Sequence, residues 1–109
     1  MEKKMTPYDE ILDNIKRAVE QNASDAKIIL FGSRARGDAR PDSDWDVLIL
    51  LDRDEITPAD YDTIVFPLFD MAWKQDTYVS PKLYTKNEWK KRSGSLFYKN
   101  VEAEGIVIN

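Results

Sequence analysis

The sequence predicts a layered α/β (α+β) domain with a small mixed sheet of three or four strands. Three observations carry this. Ile28-Ile29-Leu30-Phe31 and Val47-Leu48-Ile49-Leu50-Leu51 are short, wholly apolar runs of strand length. Helical apolar periodicity precedes the first of them. Helix signals and one further strand-like run follow the second, giving the order α-β-β-α-β-α-α.

Residues 6–22 read as an amphipathic helix. Thr6 suits the N-cap, Pro7 the first helical position and Asp9 the capping acid. Tyr8, Ile11, Leu12, Ile15 and Val19 keep the helical period. Lys27 to Phe31 is a buried strand that stops at Gly32. Residues 33–43 are polar, punctuated by Gly37 and Pro41, and read as a turn of helix followed by a loop. The second strand starts near Asp44, and its continuous apolar run predicts cover on both faces. Pro58 to Lys74 reads as a helix that Pro67 kinks or breaks. Tyr78 to Tyr84 is a third strand, placed by Pro81 at an edge or a bulge. Thr85 caps a helix over 86–92, Ser95 opens another that Gly105 ends, and 106–108 form a small terminal strand.

The 109 residues suffice for one domain over 1–109. The chain has no cysteine and no histidine. That removes disulfides, thiol nucleophiles, common zinc sites and every Ser-His-Asp device. Carboxylates, hydroxyls, Lys, Arg and a hard metal remain, with Mg²⁺ the first choice. A net charge of -4 is a poor match to a protein that coats nucleic acid, so nucleic-acid binding is not expected. No apolar run approaches a membrane span and the start lacks a secretory signal, so the expected location is cytoplasmic.

The chemistry concentrates in Phe31-Gly32-Ser33-Arg34-Ala35-Arg36-Gly37 and Ser43-Asp44-Trp45-Asp46. Residues two apart on a strand share a face, so Asp44 and Asp46 present two carboxylates side by side, with Trp45 turned away. Their mutual repulsion is relieved by a divalent cation, which takes phosphate oxygens and water as further ligands. Gly32-Ser33 after a strand offers backbone N–H groups and a hydroxyl to an anion. Arg34 and Arg36 add guanidinium groups suited to phosphate. One flank fits metal, the other fits phosphate, and a metal–triphosphate joins them. Each piece alone reads as ordinary surface; the order between two buried strands makes the set specific.

Gly32-Ser33, ten residues, then Asp44-x-Asp46 resembles the signature of the minimal nucleotidyltransferases of the DNA polymerase beta superfamily. The whole stretch GSRARGDARPDSDWDVLIL carries the likeness, and FYKNVEAEGIVI extends it more weakly. The resemblance implies a polymerase beta palm-like fold and transfer of a nucleoside monophosphate to a hydroxyl with release of pyrophosphate. It implies Asp44 and Asp46 as catalytic metal ligands for up to two Mg²⁺ ions. Gly32, Ser33, Arg34, Arg36 and Ser43 become the nucleotide-binding set, with ATP or another NTP as substrate. It further implies an antitoxin-like member paired with a HEPN-domain toxin, whose tyrosine is the acceptor. The short chain leaves no room for the extra domain that larger relatives use, so a protein acceptor is expected.

One position departs from the family pattern. Ser80 stands where a third carboxylate is expected, and a hydroxyl is a poor substitute. Asp76 shares its strand parity but lies ~13 Å away along an ideal strand, and reads as a turn acid. Two alternatives follow. One is a nucleotide-binding antitoxin that acts by contact. The other is a small-molecule nucleotidyltransferase of aminoglycoside type, for which a homo-oligomer would build the acceptor pocket. Trp73, Trp89, Phe66, Phe69 and Tyr98 sit at spacings that suit core or interface packing.

Overall fold

The computed structural model describes residues 4–109. Its centre is a four-stranded sheet in the order β3-β2-β1-β4. Strand β1 (Lys27–Phe31) pairs antiparallel with β2 (Trp45–Leu51) and with β4 (Ile106–Val107). Strand β3 (Val79–Thr85) lies parallel to β2 at the sheet edge. Pro81 sits there because an edge strand has one row of backbone groups without a ladder partner.

Helix α1 (Pro7–Glu20) opens as its sequence requires. The Thr6 side chain accepts from the Asp9 amide while Asp9 accepts from the Thr6 amide. Its inner face buries Ile15 and Val19 completely, each contributing roughly 1.5–3 kcal/mol. The short helix α2 (Ser33–Arg36) links β1 to the loop before β2 and ends at Gly37, a left-handed C-cap.

The segment over 58–74, expected to kink or break at Pro67, divides in three. Helix α3 (Pro58–Asp60) leads into a π-helical turn (Tyr61–Val65) and then helix α4 (Phe66–Lys74). Pro67 has no N–H for the ladder, and the wider turn ahead of it, with the Phe66 amide on the Tyr61 carbonyl, absorbs the fault. Helix α4 ends in a Schellman turn: the Thr77 amide reaches the Ala72 carbonyl at 3.0 Å. Asp76 occupies its left-handed position at φ 54°. Helices α5 (Lys86–Lys91) and α6 (Leu96–Glu104) follow β3. No helix among the described residues is long and apolar enough to cross a membrane.

Two hydrophobic layers sandwich the sheet. Ile28, Leu30, Trp45, Val47, Ile49 and Leu51 pack on α1 and α4. Ile29, Leu48 and Leu50 face the other way, onto Trp89 and Val101 of α5 and α6. The apolar run of β2 is therefore covered on both faces. Trp89 is core, whereas Phe66, Phe69 and Trp73 are exposed.

Candidate active site

Alternation along β2 decides the site. Trp45 goes to the α1 layer, so Asp46 goes to the α5–α6 side with Leu48 and Leu50. Asp46 is opposite Phe31 of β1 and Ser80 of β3. Its carboxylate lies against the Gly32 backbone: a Cβ built on Gly32 would come within 2.3 Å of Asp46 Oδ2. Gly32 also has φ 74° and ψ -158°, a region that only glycine occupies without strain. Glycine is thus required twice, by backbone conformation and by the acid beside it.

Asp44 precedes the strand and is exposed. Ser80 Oγ donates a 2.6 Å hydrogen bond to Asp44 Oδ2. The position expected for a third carboxylate is therefore at the site, where its hydroxyl contacts the first acid. Asp76 is set apart in the turn that ends α4. Burial first, and next the charge of Asp44, push the Asp46 carboxyl above the ordinary carboxylate range. Glu104 adds to the rise, while Lys82 and Arg36 act in the opposite sense.

The two arginines part company. Arg36 faces the acids' side and pairs with Glu104 at 3.2 Å and with Asp38 at 3.3 Å. The hydrogen bonds it donates to Asp38 and Glu104 raise its affinity for its proton. The Arg34 side chain turns away from the acids. Its guanidinium lies 4.6 Å from the Trp45 ring centroid, on the opposite side of β2. Its Nη2 donates to the carbonyls of Ser43 at 2.8 Å and Pro41 at 3.3 Å. The Ser43 hydroxyl accepts from the Arg40 amide at 2.8 Å and closes the loop before β2. Both residues fold the loop that delivers Asp44 to the site.

Gly32 differs from expectation in one respect. Its N–H is directed at Glu104 Oε1, 3.3 Å away, instead of at open space. The amides of Ser33 and Arg34 begin α2, where no helix supplies intrahelical partners. Sequence reasoning missed Glu104 and Lys82. Lys82 is exposed on the same face of β3 as Ser80. Glu104 ends α6, and Gly105 lets the chain turn closely into β4: a Cβ there would meet the Val101 carbonyl at 2.5 Å. The Glu-Gly pair at a helix–strand junction was the available signal, but only the pairing of β4 with β1 brings it to Gly32.

The donor set fits a hard divalent cation. Asp44 and Asp46 are neighbouring carboxylates, and burial and the charge of Asp44 disfavour the ionised form of Asp46. Among the described residues no group of three or more His, Cys, Asp or Glu suits a metal ion. Any cation held there would complete its shell with phosphate oxygens and water, as Mg²⁺ commonly does.

Comparison with known proteins agrees with this geometry. The profile of the nucleotidyltransferase domain family matches residues 12–106. Two proteins of Methanocaldococcus jannaschii, both named as protein adenylyltransferases, are 33% identical to the chain. One alignment spans 82 residues, 75% of this chain and 76% of the relative. The other spans 101 residues, 91% and 96%. A crystal structure of a toxin–antitoxin with AMP-PNP contains a chain of the same fold, with TM-score 0.64 and 22% identity over 90% of this chain and 72% of that one. With its glycine turn packed on an aspartate of the adjoining strand, the chain belongs to the nucleotidyltransferase domain family, and it is a nucleotidyltransferase.

Proposed function

We propose that this nucleotidyltransferase moves AMP from Mg·ATP to a hydroxyl of a partner protein, a tyrosine of a HEPN-type toxin. The observation that carries the reading is the contact of the Asp46 carboxylate with the Gly32 turn, with Asp44 beside it. Metal ligands and phosphate-binding backbone then share one small volume. The names of the two relatives support a protein acceptor, and the AMP-PNP in the neighbouring assembly supports an adenine nucleotide donor.

In this reading Asp44 and Asp46 hold Mg²⁺. When bound there, the ion would supply charge neutralisation on the triphosphate. Ser33, through its amide and hydroxyl, and Arg36 hold phosphate oxygens. The acceptor oxygen bonds to the α-phosphorus, the bond from that phosphorus to the bridging oxygen breaks, and pyrophosphate leaves. The acceptor proton passes to water, because Ser80 is a hydroxyl where relatives of this type place a carboxylate. Ser80 also favours a second reading, in which the chain binds nucleotide and restrains its partner by contact alone.

Incubation with ATP labelled at the α-phosphate, Mg²⁺ and the product of the neighbouring gene separates the two. Transfer of label to the partner that Asp44→Asn abolishes supports the enzyme. Absence of label, with a complex that survives Asp44→Ala and Asp46→Ala together, supports contact alone. Label transfer that Asp44→Asn leaves at the wild-type level removes the assignment of the acids.

A further inference from the structure

Helix α4 has two opposed faces. Leu68 and Ala72 are buried in the core. Phe66, Phe69 and Trp73 follow the i, i+3, i+7 rule on the outer face and are 59%, 45% and 82% exposed. Tyr78, just before β3, is 67% exposed. Single apolar residues on a surface need no explanation, but aromatic side chains gathered on one face mark an interaction surface. A cleft of about 270 Å³ joins Phe69, Trp73 and Tyr78 to Asp44. The aromatic face thus leads to the first acid of the site.

Charge selects among occupants. Asp42 and Asp76 line the adjoining cleft at Tyr78, and Asp44 lies in the cleft shared with Trp73. Lys74, on the outer side of α4, is paired with Asp70 at 3.0 Å. With Asp44 given to the metal, Asp42 and Asp76 still make an acidic rim that repels anionic membrane surfaces. It also opposes a second copy of this chain meeting the same face, since like rims would be brought together. What it accepts is a cationic surface with apolar side chains.

We propose that the face formed by Phe66, Phe69, Trp73 and Tyr78 docks the acceptor protein through a basic, apolar segment and so sets its hydroxyl beside Asp44. This rests on the reading of a protein acceptor above. It adds where that protein binds and what chemistry its segment has. Aromatic anchors supply the contact area, and the acidic rim supplies orientation and rejects acidic partners.

The test uses the full chain and a fluorescent synthetic helix of lysines and leucines carrying one tyrosine, with a control in which glutamates replace the lysines. Anisotropy is followed for wild type, Trp73→Ser, and Phe69→Ser with Trp73→Ser. The lysine peptide is expected to bind wild type at least tenfold more tightly than the double variant, and the glutamate peptide not to bind. AMP-PNP affinity in Mg²⁺ is expected to be unchanged in both variants. Equal peptide affinity for wild type and double variant overturns the proposal, as does equal binding of the two peptides. A wild-type dimer in sedimentation that Trp73→Ser dissolves assigns the face to a second copy and also overturns it. So does a parallel loss of AMP-PNP affinity, which would make the face part of the nucleotide site. The underlying transfer reading fails separately, if AMP-PNP binding is indifferent to Asp44→Ala with Asp46→Ala.

Discussion

Trp45 and Asp46 are adjacent in the chain and belong to two different regions of the molecule. On the Trp45 side most polar groups pair with one another, Arg34 Nε being the buried exception. The indole N–H donates to Thr77 Oγ1 at 3.1 Å, the Tyr8 ring lies 5.2 Å away, and Arg34 stacks while tying down Pro41 and Ser43. On the Asp46 side charges of both signs converge, with Asp44, Glu104, Arg36 and Lys82 all acting on one carboxyl that burial already disfavours. One region spends its polar atoms on holding a loop; the other retains charge for a ligand. An arginine in the same four-residue helix serves one or the other according to the face it reaches.

The sharpest break of that contrast is to remove the charge. Asp44→Asn with Asp46→Asn is expected to lower nucleotidyl transfer about 10³-fold or more, since several kcal/mol of charge stabilisation depend on the acids. Stability should move the other way. A carboxyl raised above its unfolded pKa binds its proton more tightly in the folded protein. Its ionised form therefore weakens the fold as pH climbs above about 4, the ordinary carboxylate value. Asp46→Asn is accordingly expected to raise the melting temperature at pH 7 and to leave it unchanged near pH 3. A lower melting temperature at pH 7 would contradict the burial and repulsion described here.

Gly32 joins the two regions, and its substitution comes next. Gly32→Ala is expected to destabilise by roughly 2–3 kcal/mol, from backbone strain and from the contact with Asp46. Chemical denaturation of Gly32→Ala in an Asp46→Gly background measures the strain alone. An undiminished loss there would mean that the acid contributes nothing to the requirement for glycine.

The two arginines sharpen the contrast without touching the acids. Arg34→Ala is expected to cost about 2 kcal/mol through lost carbonyl hydrogen bonds and ring contact. Arg36→Ala is expected to leave thermal melting unchanged and to weaken AMP-PNP binding several-fold. The reverse pattern, measured by melting and calorimetry, would exchange their roles. The smallest effect is at Asp76, which holds a left-handed backbone position for a helix end. Asp76→Gly should stabilise by about 0.5–1 kcal/mol and leave transfer unaffected. A loss of transfer would bring Asp76 into the site after all.

Much of this was legible in the residues. Apolar runs marked β1 and β2, the capping box at Thr6 marked α1, and Pro81 marked an edge strand. Gly32 and the two acids were legible because a glycine bend and a two-residue spacing are local signals. That Ser80 belongs beside the acids was expected from the family resemblance, and its register opposite Asp46 came from the sheet. Arg34, Ser43 and Glu104 were not. Residues in a turn of helix and an irregular loop have no simple period to fix their direction, and Glu104 reaches Gly32 across 72 positions of sequence.

Local chemistry therefore determined the elements, the alternation that sends Asp46 and Trp45 apart, and a site built without cysteine or histidine. Tertiary structure alone decided which arginine remains with the acids, which carboxylate claims the Gly32 amide, and that the aromatic face of α4 opens toward Asp44. The reason is physical. Periodicity is fixed by bonds between near neighbours, whereas the partner of a charge is fixed by whichever strand and helix ends the packed core brings together.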